Sequence, residues 1–266
     1  MKTLHLGDKG NDVKRLQTLL KINADGIFGP VTLETVKEFQ KVKGLEVDGV
    51  VGPKTWAALG VKETKSVDPS VIYAPLKSCL TKTPNRSIRY IAIHYTAGAS
   101  SAPGRAINMK NSWEKTKRAS ADFGVDDRDM VQFNPDLNNY YCWSVGDPKN
   151  PYGGGGQLYG KATNRNTISI EICSNLSAGY SASKANHAGW FYTEKSLDNA
   201  VKLVKILMKK YNIDIDHVVR HYDISGKICP GIIGWNNSDL YDANGNRMKT
   251  KNNSNEWKKF KERLKI

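Results

Sequence analysis

The sequence predicts an α/β domain, a mixed β-sheet flanked by helices, preceded by a small three-helix domain. Three observations predict it. An eight-residue turn motif recurs with a period of 23 within the first 60 residues. A polar stretch with no periodicity, Val61 to Ser70, carries Pro69 and reads as a linker. Beyond it, apolar strand-like runs alternate with helical periodicity, the pattern of an α/β sheet. The expected organisation is a helical module over 1–61, a linker over 62–72 and a sheet domain over 73–266.

In the first module Asp25-Gly26-Ile27-Phe28-Gly29-Pro30-Val31-Thr32 returns as Asp48-Gly49-Val50-Val51-Gly52-Pro53-Lys54-Thr55. Each copy reads as a turn followed by a helix start, with Pro at the first helical position, where no donor is lost. Asp25 and Asp48 are read as turn-makers in preference to sugar contacts. Val13, Leu16, Leu19 and Leu20 recur at helical spacing before the first copy. Val31, Thr35, Phe39 and Val42 do so between the copies and predict a helix over Val31 to Lys43. A third short helix is expected around Thr55 to Leu59.

In the second domain Tyr90-Ile91-Ala92-Ile93-His94 has a buried-strand pattern, and Phe123 to Asp126 with Met130 to Phe133 suggest a hairpin. Thr167 to Cys173 alternates, with Ile168, Ile170 and Ile172 on one face and Ser169, Glu171 and Cys173 on the other. Leu197, Val201, Val204, Met208 and Tyr211 mark the best helix. Ile215 to Arg220 reads as a strand ending at His221. Trp257, Phe260 and Leu264 place one face of a terminal helix on the domain.

Composition narrows the classes. The chain has 266 residues, with 39% hydrophobic and 25% charged, which excludes a disordered chain. No apolar run approaches the roughly 20 residues of a membrane helix, so no membrane insertion is expected. The opening MKTLHLGDKGNDV lacks an apolar core, so no signal peptide is expected. Four scattered cysteines argue against a disulfide framework, and Cys79, Cys142 and Cys173 are read as thiols of a protein made in a reducing cytoplasm. The formal charge of +14 is uneven: 9 basic and 7 acidic residues precede Val61, and 31 and 19 follow. Such a chain favours polyanions, among them anionic wall polymers, or simply carries a solvated basic face. With no zinc-finger, RNA-recognition or basic-zipper pattern, nucleic acid is not an expected partner.

Five histidines are present, and two stand at predicted strand ends, His94 and His221, where open α/β sheets build their sites. Cys229 lies eight residues beyond His221, with Lys227 between them. Two imidazoles and a thiolate form a borderline-soft donor set of the kind zinc prefers, with a fourth position open for water. Any one of these residues alone is as readily a packed side chain. The chain lacks H-E-x-x-H, C-x-x-C and G-x-S-x-G. Gly155 to Lys161 fits the opening of a phosphate-binding loop, but Ala162 stands where Ser or Thr is needed and no strand precedes it, so nucleotide binding is rejected.

Sequence context sharpens both halves. Leu6-Gly7-Asp8-Lys9-Gly10 with Val13, Leu16, Gln17 and the paired turns resembles the peptidoglycan-binding-domain-1 family over residues 3–60, which implies a three-helix wall-binding module. Ile91 to Gly98, Ser120 to Asp127, Asn166 to Cys173 and Arg220 to Pro230, in that order, resemble the amidase-2 family of zinc N-acetylmuramoyl-L-alanine amidases over residues 70–235. The resemblance implies an amidase-2-like fold, with His94, His221 and Cys229 as zinc ligands, Glu171 as the catalytic carboxylate and Lys227 as the basic residue beside the metal. It implies cleavage of the amide between N-acetylmuramic acid and L-alanine, with peptidoglycan as partner, a monomer as the working form, and action at the cell wall after release from the cytoplasm. Trp143 and Tyr95 are candidate substrate contacts, although core packing is the preferred reading of Trp143. Asp122 and Ser144 depart from the family pattern, which usually has His at both places. A non-catalytic wall-recognition protein on the same fold is the alternative.

Overall fold

The computed structural model describes residues 3–60, 66–97, 105–146, 155–180, 188–231, 242–244, 246 and 254–265. The chain divides into two units, Met1–Lys65 and Ser66–Ile266.

In the first unit the sequence period is also a hydrogen-bond period. Its helices are α1 (Asn11–Leu19), α2 (Pro30–Val42) and α3 (Pro53–Ala58). Gln17 Nε2 donates to Asp25 Oδ1 at 2.7 Å, to Ile27 O at 3.0 Å and to Thr32 Oγ1 at 3.1 Å. Twenty-three residues on, Gln40 Nε2 donates to Asp48 Oδ1 at 2.8 Å, to Val50 O at 2.9 Å and to Thr55 Oγ1 at 3.2 Å. The same Asp Oδ1 atoms accept the N–H of Ile27 and Val50, so both aspartates make turns as expected. Leu4, Val13, Leu16, Phe28, Val36, Val51 and Trp56 form the core.

The stripe that predicts α2 is not its buried face. Val31 and Val42 are 72% and 80% exposed, whereas Thr32, Val36 and Gln40 are buried. Two faces of this helix share the 3–4 spacing, and the hydrogen-bonded Gln40 network selects the one that turns inward. Gln40→Leu, which leaves the Gly49 N–H without its Oε1 acceptor, is expected to cost about 1–3 kcal/mol. A lower urea midpoint for the first unit would register it.

The turn geometry also links the unit to pH. The Ile27 N–H and the Gln17 amide hold the Asp25 carboxyl below its ordinary value, and the Val50 N–H and Gln40 do the same to Asp48. A carboxyl whose folded value is depressed adds stability above its unfolded pKa and loses it as pH falls through the folded value. The first unit is therefore expected to soften on acidification below about pH 4. Asp25→Asn with Asp48→Asn should flatten that acid limb in a pH-dependent melt.

The second unit is built on a six-stranded mixed sheet. Its strands are β1 (Ile72–Tyr73), β3 (Tyr90–Tyr95), β4 (Phe123–Val125), β5 (Met130–Gln132), β7 (Thr167–Ile172) and β10 (Val218–Arg220), in the order β1-β5-β4-β7-β3-β10. Only the β4–β5 pair, the expected hairpin, is antiparallel. Smaller pairs join β2 (Leu80–Lys82) to β6 (Tyr140–Cys142) and β8 (Asn175–Leu176) to β9 (Trp190–Phe191). A short helix, α4 (Met109–Thr116), precedes β4. Residues 66–71 lie against this unit, with Val67 N donating to Gln132 Oε1 at 2.8 Å.

Helix α5 (Glu194–Tyr211) covers the sheet, its start capped by Thr193 Oγ1. Ala200, Leu203, Val204 and Leu207 are its buried centre, whereas Leu197, Val201, Met208 and Tyr211 flank it. The predicting stripe is thus the edge of a wider apolar arc, shared with its centre only at Val204. The expected strand Ile215–Arg220 shortens to β10, because Asp214 Oδ1 accepts the N–H groups of Asp216 and His217 and winds 215–217 into a 3₁₀ turn. His217 lies in that turn, exposed and 2.7 Å from Asp214. Helix α7 (Ser254–Glu262) sends Phe260 into the core, and Leu264 follows it there.

Arg86 is the polar hub. Its guanidinium donates to the carbonyls of Arg165, Leu137, Tyr140, Asn164 and Thr167 and lies 3.7 Å from Asp122. Asp122 in turn accepts from the Ser169 N–H and hydroxyl at 2.8 and 2.9 Å. The departure at 122 is thereby a buried structural carboxylate. Arg86→Met, which strands that charge and five carbonyls, is expected to destabilise the second unit by about 3–5 kcal/mol, measurable by chemical denaturation.

Candidate metal centre and its cleft

Three adjacent parallel strands deliver the site. In the sheet, Glu171 on β7 is paired with His94 on β3, and Arg220, the last residue of β10, is paired with Ile93. His221 follows Arg220 directly and therefore arrives beside His94. It opens a short helix, α6 (His221–Ser225), whose start is held by the Arg220–Asp223 pair: Asp223 Oδ2 accepts the Arg220 N–H at 2.8 Å. Cys229 comes from the loop after α6. The Tyr222 N–H donates to Cys229 O at 3.0 Å, and the Tyr192 hydroxyl donates to Pro230 O at 2.7 Å. These bonds tie the cysteine loop to the helix that carries His221.

The result is a cluster of buried ligand atoms. One nitrogen from each of His94 and His221 and the Cys229 sulfur lie within 4.8 Å of one another. The imidazole centroids are 4.6 Å apart, and Cys229 Sγ is 3.7 Å from His94 Nδ1. The donor set, two imidazoles and a thiol drawn from three separate segments, fits a tetrahedral N/S-preferring ion with one position left over.

The cluster opens into a cleft of about 460 Å³ that also takes in Tyr95, Trp143, Glu171 and Lys227. Glu171 Oε2 is shielded from solvent and has no hydrogen-bond partner among the described residues. Burial pushes its carboxyl up to about 8, with Lys227 drawing it down. A carboxyl poised near neutrality can both take and return a proton. Lys227 is exposed at the rim.

Every expected site residue therefore faces this one cleft. Trp143 is 37% exposed, and its Nε1 donates to Thr81 Oγ1 at 2.9 Å, so it is a cleft wall and not core. Tyr95 is buried edge-on against Trp190 with centroids 5.5 Å apart, and its hydroxyl is pushed well above the ordinary range by burial. Ser144 lines the cleft, with its N–H bonded to Asn164 Oδ1 at 2.9 Å. His187 lies outside the described residues. All four cysteines are buried and none forms a disulfide, and Cys173 packs with Leu76, Phe133 and Cys142.

Sequence reasoning missed one wall. Trp113 on α4 lines the cleft, and together with Met109, Ser112, Thr96 and Glu171 it encloses an annex of about 170 Å³. The four-residue spacing of Met109 and Trp113 on a short amphipathic helix was the available signal.

Comparison with known proteins bears on both units. Residues 84–232 match the family model described as N-acetylmuramoyl-L-alanine amidase, and residues 9–59 match that of a putative peptidoglycan binding domain. N-acetylmuramoyl-L-alanine amidase CwlA of Bacillus subtilis (strain 168) is 34% identical over 150 residues, which cover 56% of this chain and 46% of CwlA. XlyB of the same organism is 34% identical over 152 residues, covering 56% and 39%. The matches thus span less than half the length of these relatives. A solved structure titled "Mutant endolysin from Bacillus subtilis" aligns with a TM-score of 0.47 and 25% identity, covering 73% of this chain and 98% of that one.

Proposed function

The chain belongs to the N-acetylmuramoyl-L-alanine amidase family, and from that premise we propose that it hydrolyses the amide between N-acetylmuramic acid and the L-alanine of the stem peptide in peptidoglycan. The first unit anchors it to the wall, as the match over residues 9–59 suggests. Tethering raises the local concentration of the second unit on an insoluble substrate. The biological role is endolysin- or autolysin-type lysis of the cell wall. No helix of the described residues is long and apolar enough to cross a membrane.

One observation carries the reading: three soft-to-borderline ligand atoms within 4.8 Å of one another, beside a shielded carboxyl in the same cleft. His94, His221 and Cys229 would hold zinc. When bound, zinc supplies Lewis-acid polarisation of the amide carbonyl and acidification of water. Glu171 accepts the proton of the attacking water and returns it to the leaving nitrogen. Its raised pKa suits that exchange, since burial makes the ionised carboxylate a stronger base toward water, and the proton it takes up there is the one it hands to the departing amine. Lys227 offers a positive charge to the developing oxyanion, and it steadies the ionised form of Glu171. Trp143 and Tyr95 supply cleft surface against which the sugar or peptide can lie.

Mass spectrometry of muropeptides after digestion of purified walls tests the bond. Intact glycan strands with newly exposed L-alanine amino termini are the expected products. Cut sugars, or cross-bridges cut alone, would overturn the assignment, and walls bound but left intact would make the protein a recognition module.

A further inference from the structure

The first unit holds two cavities that are copies of one another. One, of about 280 Å³, is walled by residues between Gln17 and Thr32. The other, of about 330 Å³, is walled by residues between Gln40 and Thr55. All nine lining positions of the first recur in the second 23 residues later. The buried Gln, the turn-making Asp and the Thr of each hydrogen-bond network line their own cavity, and Ile27 and Pro30 are matched by Val50 and Pro53.

A glycine in each cavity points to open space kept for an occupant. Gly26 and Gly49 need glycine for their backbone, with φ of +82° and +72°. Gly29 and Gly52, which line the cavities, do not. Each has φ of −88° in the extended region, and a Cβ at either would meet nothing within 4 Å. Neither strain nor crowding calls for glycine there. Both are helix N-caps, where glycine is favoured, and the absent side chain also keeps room in the cavity that each lines.

The chemistry selects the occupant. Where the cavities differ, the differences cancel in charge: Asn23 becomes Glu46 and Val31 becomes Lys54. Each cavity therefore carries one net negative charge, from Asp25 in the first and from Glu46, Asp48 and Lys54 in the second. Such a cavity repels anionic wall polymers and peptide carboxylates. It accepts hydroxyl and amide donors, and its apolar wall suits a pyranose face or an acetyl methyl. Two like cavities in one small unit fit two like residues of a repeating polymer.

We infer that the first unit is bivalent, with one subsite in each repeat for a neutral N-acetylhexosamine of the glycan strand. The inference rests on the reading of this unit as a wall anchor. Each subsite is weak alone, and holding both by one strand raises affinity by about 10²–10⁴-fold.

The full chain can be tested with peptide-free glycan strands, which offer no amide to cut. The Gly26 and Gly49 N–H groups donate to Gln17 and Gln40 Oε1 at 2.8 and 2.9 Å, so their NMR signals report the two cavities separately. Titration with the β-1,4-linked tetramer of N-acetylglucosamine is expected to move both signals. Gly29→Phe should silence the Gly26 response alone and Gly52→Phe the Gly49 response alone, with the other repeat's reporter still responding and cooperative thermal unfolding retained. Each single variant should lose about 10²-fold or more in affinity for long strands, and in the double variant neither reporter should respond. Unmoved reporters, variants that bind like wild type, or a single variant as dead as the double would overturn bivalency. Reporters that respond to free stem peptide or to teichoic acid in place of the sugar would overturn the ligand class. Retention of the wild-type chain on whole walls separates the two readings. Retained protein with silent reporters sinks only this inference, whereas protein that is not retained removes the wall anchor as well.

Discussion

Glu171→Gln is expected to slow wall hydrolysis by about 10²–10⁴-fold, the usual worth of a positioned general base, and to leave the protein's zinc content unchanged. The amide is nearly isosteric and keeps the cleft filled, but it can neither take the proton of water nor return it to the leaving nitrogen. Glu171 sits opposite His94 in the sheet register and outside the ligand cluster, so a change confined to its proton chemistry should not empty the metal site. Single-turnover release of new L-alanine amines, read beside zinc content by elemental analysis, separates the two effects. A variant that hydrolyses as fast as wild type would remove Glu171 from the reaction. Zinc lost along with activity would make it a ligand or a support.

Cys229→Ser is expected to act the other way round, stripping the metal first. Serine keeps the size of the side chain but replaces a thiolate, the softest of the three donors, by a hydroxyl that stays protonated. Losing a partner outside the ligand shell of a zinc site typically costs about 10–100-fold in affinity, so losing a ligand should exceed about 100-fold. Activity should fall to background at ordinary zinc concentrations, and His94→Ala and His221→Ala should reproduce the loss. A chelator competition measures the affinity without any hydrolysis assay. Wild-type activity that survives chelation would refute zinc dependence. The fold should tolerate the serine, because the loop is also held by the Tyr222 N–H to Cys229 O bond and by Tyr192 on Pro230 O.

Much of the site was legible because it is carried by short contiguous motifs. His94 and His221 stand at strand ends in the sequence pattern, and parallel pairing of β3 with β10 brings them together. Glu171 was marked as a carboxylate on an apolar strand. Trp113 and the annex were missed, since the Met109–Trp113 spacing marks one face of a short helix but reads the same whether that face meets core or cleft. Trp143 was ambiguous for that reason, and the contact of its indole N–H with Thr81 resolved it.

Faces and strand limits were harder than elements. Helix α2 was identified from Val31 and Val42, yet both lie in solvent. Hydrophobicity scales rank valine above glutamine, but Gln40 and Gln17 are inside because each satisfies several partners at once. Periodicity cannot report a hydrogen-bond network that spans 15 residues. The end of β10 moved for a local reason, the Asp214 side chain bonding back to the N–H groups at 216 and 217.

The sequence by itself determined the two-unit plan, the internal repeat and the candidates proposed to bind a metal and move a proton, because each is written in contiguous or regularly spaced residues. Only the tertiary structure decided the strand order, the inward faces of α2 and α5, the cleft around the ligands and the paired cavities of the first unit. Those depend on which distant groups satisfy one another on burial, and that matching is settled between segments, not within them.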